Sequence, residues 1–167
     1  NKYFVDKLPE NYLFYKFIRL SLPGAKFIHC HRDPWDNAIS LFKQNYAVNI
    51  FYASSFFGIA NELANYEHLI QFWKKIDGDQ CMLDVKYENL VKNELEVASE
   101  IWEHCELEGN YDPLKRKKHF AFTASMQQVT KEIYSTSLDK KDFLDFKDDF
   151  MIDLQTQRDF WKKRLKN

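Results

Sequence analysis

Apolar residues recur at helical spacing in five stretches of the chain and cluster or alternate in three short ones. Ile59, Leu63, Tyr66, Ile70 and Trp73 fall one turn apart, which predicts a long helix over residues 56–76 ended by Asp77-Gly78-Asp79. Leu13, Phe17 and Leu20 form one stripe of a helix over residues 12–21, with Phe14 and Ile18 beside it and Pro23-Gly24 as its stop. Ala98, Ile101, Trp102 and Cys105 mark the buried face of a helix capped by Asn93, with Glu96 completing a capping box. Phe150, Leu154, Trp161 and Leu165 do the same for a final helix over residues 147–165. Short strands are expected at residues 3–5, at residues 26–30, and at residues 80–85, where Cys81, Leu83 and Val85 alternate. Strands interleaved with helices imply an α/β chain whose strands run parallel and are joined by helical crossovers.

The fifth helix follows the second strand directly, in KFIHCHRDPWDNAISLF. Phe27, Ile28 and Cys30 suit a fully buried strand. Asp33 is a natural N-cap, Pro34 fits the first helical position, and Asp36 favours the positive helix end. Arg32 is then left at the carboxyl end of the strand, where open α/β sheets bind ligands. Ser40 lies two turns into the helix on the face of Asn37, while Ile39, Phe42 and Tyr46 form the apolar face. A guanidinium fork and a hydroxyl at this spacing can hold a phosphate. An Arg–Asp surface pair and an ordinary helix serine explain the same residues, and both readings stay open here.

Composition narrows the class. With 167 residues, 45% hydrophobic and 17% aromatic, the chain can bury a core as one domain. A net charge of −1 does not suggest a nucleic-acid partner. Four glycines supply no phosphate-cradling loop, and no apolar run reaches membrane-spanning length. Cys30, Cys81 and Cys105 are odd in number and read as reduced core residues, with no metal-ligand spacing. His29 and His31 share one face of a strand but lack a third ligand, so they read as core or rim side chains rather than a metal pair. Reduced cysteines suggest a bacterial cytoplasm, with a Golgi lumen left open.

HRDPWDNAIS resembles the 3′-phosphate-binding segment of sulfotransferases, which use 3′-phosphoadenylyl sulfate (PAPS) as co-substrate. The longer run FVDKLPENYLFYKFIRLSLPGAKFIHCHRDP is similar to the bacterial sulfotransferases that often carry tetratricopeptide repeats, and to tyrosylprotein sulfotransferases. The resemblance spans residues 4–134. It implies a parallel sheet flanked by helices in a P-loop-kinase-like fold, with Arg32 and Ser40 on the 3′-phosphate and Tyr87 stacked on adenine. It makes Lys7, in DKLP, a cation beside the sulfuryl group, and implies no metal. FTASMQQVTKEIYSTS resembles the family's cofactor-closing loop, which gives Ser125 a place near the sulfuryl group and lines the nucleotide with Thr130, Lys131 and Tyr134. Lys131 stands at or beside a position where relatives carry arginine, and a lysine lacks the guanidinium fork. SLDKKDFLDF replaces the Gly-Arg-Trp that often follows.

Each of these residues also has a plainer reading. Lys7 could pair with Asp6 at the surface, Tyr87 could pack the following helix, and Ser125 could be an N-cap. The chain begins at Asn1, so the family's phosphosulfate loop and first strand are expected upstream of it, and this partial domain is expected to be inactive alone. Two classes follow. One is a sulfotransferase acting on a hydroxyl of a protein tyrosine, a carbohydrate or a small molecule, with residues 45–55 as a possible acceptor wall. The other is a non-catalytic nucleotide-binding or protein-interaction module of the same fold. KRKK at residues 115–118 is either a solvated turn or an attractor of anions.

Overall fold

The computed structural model describes residues 3–44, 50–109, 111–112 and 141–164. A 3-10 turn, Pro9–Phe14, leads into helix α1, Tyr15–Ser21. Strand β1, Ile28–His31, is followed by α2, Pro34–Lys43, and by the long α3, Phe56–Asp77. Strand β2, Leu83–Lys86, runs straight into α4, Tyr87–Lys92, and then α5, Glu94–His104; α6 is Lys147–Arg164. The described residues are thus mostly helical around a small parallel sheet, an α/β arrangement.

The two strands pair in parallel with Ile28 opposite Leu83 and His31 opposite Lys86. Parallel neighbours need a crossover, and α2 with α3 supplies it. The register has a direct consequence for the site. Arg32 and Tyr87, the first residues beyond the paired segments, leave the sheet side by side at its carboxyl edge.

Two apolar clusters hold the elements. In the first, Trp35, Ala38 and Ile39 of α2 pack against Ile59, Ala60, Leu63 and Ala64 of α3 and against Phe150 and Leu154 of α6. A bidentate pair from Arg158 to Glu67, at 2.6 and 2.7 Å, fastens α6 to α3. The start of α3 is tight: Ser55 caps it by accepting the Gly58 N–H at 3.1 Å, and a Cβ at Gly58 would lie 2.6 Å from the Tyr52 carbonyl oxygen. In the second cluster Tyr15 joins Ile70, Cys81 and Met82. The Tyr15 ring lies 4.6 Å from Phe27 and 5.5 Å from Trp73, whose indole N–H donates to the Tyr12 carbonyl at 2.9 Å. At the far end of α3, Gly78 takes a φ of 86°, a left-handed conformation that stops the helix.

Helix positions agree with the periodicity, but several burial expectations do not. The stripe Leu13, Phe17 and Leu20 faces outward, with Phe17 and Leu20 each 71% exposed, whereas Tyr15 is 2% exposed. Periodicity defines a face without stating which face meets the core, and here an aromatic stack on Phe27 and Trp73 selects Tyr15. Residues 3–5 are exposed and pair with no strand among the described residues, so the expected strand does not form. Ile28 is 39% exposed and Cys30 is exposed, so β1 is not the fully buried strand its composition suggests; among the described residues β2 is its one sheet neighbour. Cys81 sits in a 3-10 turn before β2 rather than within it, and Cys105 is half-buried just beyond α5; all three thiols are free. Asn93 begins α5 without a side-chain cap bond, and Val97 and Ala98 form that helix's buried face. No described helix is long and apolar enough to cross a membrane.

Candidate functional site

The carboxyl edge of the sheet brings two dipeptides together, Arg32-Asp33 from β1 and Tyr87-Glu88 from β2. Asp33 caps α2 as its sequence predicts, accepting the Asp36 N–H at 3.0 Å. Its own N–H donates to Glu88 Oε1 at 2.9 Å. The Arg32 guanidinium lies 4.9 Å above the centre of the Tyr87 ring, a cation–π contact. Its terminal nitrogen stands 3.6 Å from Asp36 Oδ2, one turn along. The pair is largely enclosed, with side chains 21% and 16% exposed.

Of the five buried side-chain polar atoms without a hydrogen-bond partner among the described residues, two belong to this cluster, Arg32 Nε and Glu88 Oε2; the others are Trp35 Nε1, Asp77 Oδ2 and Trp161 Nε1. Burial alone would raise the Glu88 carboxyl, but the Asp33 N–H, with Lys86 and Arg32 nearby, holds it below the usual range and charged. The cluster therefore sets one guanidinium and the amino terminus of the ten-residue α2 beside carboxylates that already accept backbone N–H bonds. An unsatisfied buried donor at a helix amino terminus fits an anionic group.

The other expected site residues fall in different places. Ser40 is half-buried in the second turn of α2, roughly 9 Å along the axis from Pro34 at 1.5 Å per residue. Lys7 is exposed in an irregular segment before the Pro9–Phe14 turn, not at a strand end, because residues 3–5 form no strand. The Asp6 carboxylate accepts from the Asn11 side-chain amide at 2.9 Å. Tyr87 opens α4 and engages Arg32, so adenine stacking on this ring would share it with the guanidinium. Ser125, Thr130, Lys131 and Tyr134 lie outside the described residues, as do residues 115–118 and 45–49.

Sequence reasoning missed Glu88, although its place directly after Tyr87 was the available signal. It also missed a polar cluster on the α3 side of the sheet. Register places His29 opposite Asp84. A carboxylate can only accept, so His29 Nδ1 donates to it at 2.6 Å, and Nε2 then accepts from the Tyr66 hydroxyl. Lys74 also bonds Asp84, and His31 stacks on His29 with ring centres 5.3 Å apart. Burial pulls the His29 imidazole below its ordinary value despite Asp84, and burial pushes the Tyr66 phenol well above its own. Among the described residues, no group of three His, Cys, Asp or Glu could hold a metal.

Comparison with known proteins gives this edge a context. A family model described as the sulfotransferase family matches residues 1–113, more than half of the chain. That span contains Lys7, Arg32, Ser40, Tyr87 and Glu88 and stops short of Ser125. An uncharacterized protein of Aquifex aeolicus (strain VF5) is 33% identical over 141 residues, which cover 81% of this chain and 18% of the relative. The chain thus spans less than a fifth of that relative's length. No solved structure matches.

Proposed function

This chain belongs to the sulfotransferase family, and we propose that the carboxyl edge of its sheet binds the 3′-phosphoadenosine part of PAPS for transfer of a sulfuryl group to a hydroxyl or phenol. The observation that carries this reading is the half-buried Arg32, at the junction of β1 and the capped α2, with its Nε unsatisfied. When bound, the co-substrate supplies the activated sulfuryl group. Arg32 would grip the 3′-phosphate with its guanidinium, and Ser40 would add a hydroxyl donor from the next turns of α2.

The remaining assignments rest on the resemblance. Tyr87 would bear on the adenine side of the nucleotide, next to Arg32. Lys7 would neutralise charge near the sulfuryl oxygens, since a loose, charged group in flight responds chiefly to positioned cations. Its exposure leaves it room to approach a ligand. Ser125, Thr130, Lys131 and Tyr134 would cover the nucleotide in the family's closing loop. The acceptor would be a hydroxyl of a protein tyrosine, a carbohydrate or a small molecule.

Calorimetric titration with adenosine 3′,5′-bisphosphate beside adenosine 5′-monophosphate tests the reading. Charge-assisted hydrogen bonds contribute roughly 1.5–3 kcal/mol, so the bisphosphate should bind more tightly, and Arg32→Ala should weaken it at least tenfold. Equal binding of both nucleotides, or an unchanged affinity in Arg32→Ala, would overturn it and favour a non-catalytic interaction module.

A further inference from the structure

We infer that Glu88 is a positioning residue for the anion site, an inference that rests on the reading above. The two dipeptides at the sheet edge clasp each other twice. The Tyr87 ring carries the Arg32 guanidinium at 4.9 Å, and the Glu88 carboxylate takes the Asp33 N–H at 2.9 Å. Arg32 therefore has its direction fixed from one side by Tyr87 and its backbone fixed from the other by Glu88. Parallel register creates the opportunity, because His31 and Lys86 are the last paired residues and the chain ends leave together.

The chemistry of the tie favours a carboxylate of this length. Asp33 is simultaneously the N-cap of α2, so its N–H lies at the turn that points the helix amino terminus. Holding that N–H sets where the terminus and Arg32 lie relative to each other. The Glu88 carboxylate accepts the Asp33 N–H, and this bond, with Lys86 and Arg32 in the neighbourhood, favours its charged form. Asp36 adds a further contact, 3.6 Å from a guanidinium nitrogen. Glu88→Asp, one methylene shorter, should draw the carboxylate back from the Asp33 N–H and weaken the tie.

The test is the preference for adenosine 3′,5′-bisphosphate over adenosine 5′-monophosphate, measured by titration of Glu88→Ala, Glu88→Asp and Glu88→Gln together with their melting temperatures. Glu88→Ala and Glu88→Asp should each lose at least fivefold of the wild-type preference. Glu88→Gln keeps an acceptor for the Asp33 N–H and should stay within about threefold of wild type. A preference unchanged in Glu88→Asp or Glu88→Ala, with only the melting temperature lowered, would make Glu88 a structural tie and overturn the inference. Should Glu88→Ala fail to fold, Glu88→Asp decides alone. A wild-type chain without any preference would fell the site reading and this inference together. A wild-type preference that Arg32→Ala abolishes and Glu88→Asp leaves intact would fell the inference alone.

Discussion

The α2–α3–α6 corner and the α1–β1 side of the molecule are built from similarly apolar sequence, yet they use it differently. In the corner, Ile39, Ile59, Phe150 and Leu154 are fully buried and close on one another. On the other side Phe17, Leu20 and Ile28 stand open, while Tyr15 anchors α1 to Phe27 and Trp73 and Lys16 and Arg19 pair with Asp77. Helical periodicity is equally good in both places. What differs is whether a second element lies against the periodic face among the described residues. Stability should therefore concentrate in the corner, while the sheet edge supplies the polar chemistry.

Truncation should expose this contrast most strongly. Phe150→Ala is expected to cost about 3–5 kcal/mol, since it opens a cavity between α2, α3 and α6. Phe17→Ala should change stability by no more than about 0.5 kcal/mol, as an outward side chain away from special features. Urea unfolding of the two variants checks both. Comparable losses would mean that the α1 face is covered in solution.

Gly58→Ala comes next. Alanine normally favours a helix, but here its Cβ would meet the Tyr52 carbonyl oxygen at 2.6 Å. The substitution should destabilise by about 1–3 kcal/mol rather than stabilise, and the same unfolding experiment reads the sign. Removing the bidentate tie between α6 and α3 with Arg158→Ala should cost less, about 1 kcal/mol, because both side chains are about a third exposed and solvent screens the pair. A double-mutant cycle with Glu67→Gln isolates that coupling.

Acidification should act through the sheet rather than the corner. The folded chain holds His29 below its ordinary value, so the unfolded chain takes the proton first, and stability falls as pH drops below about 6.5. Asp84 is also held below its ordinary value by Lys74 and His29 against the opposing effect of burial; the stability it adds is present above about pH 4 and is lost on further acidification. His29→Gln should flatten the first of these losses in melting temperature against pH. A wild-type profile that is flat between pH 7 and 5 would contradict the dominance of burial over Asp84 at His29.

How far the sequence foretold this arrangement depended on which forces were local. The α2 start was legible because Asp33, Pro34 and Asp36 act within one turn, and the cap bond from Asp36 is present. The α3 helix was legible from Ile59 to Trp73 because its period continues for about four turns. Local signals also misled: Asn93 with Glu96 resembled a capping box, yet the Asn93 side chain makes no cap bond. Outward Phe17, the absent strand at residues 3–5 and the exposed Cys30 all depend on what lies across from them, which no window of sequence contains. The same holds for the site. Arg32 could be placed at a strand end from its neighbours, but its meeting with Tyr87 and Glu88 follows from the pairing of β1 with β2 across more than fifty residues.

The most direct measurement is the side-chain Nε–H resonance of Arg32, assigned by its disappearance in Arg32→Lys and followed by NMR during titration with adenosine 3′,5′-bisphosphate. That N–H is buried and unsatisfied among the described residues, so it should respond to an arriving phosphate. The account predicts a saturable shift of this resonance with the bisphosphate and little movement with adenosine 5′-monophosphate. A bound bisphosphate that leaves the Arg32 resonance unmoved would contradict it.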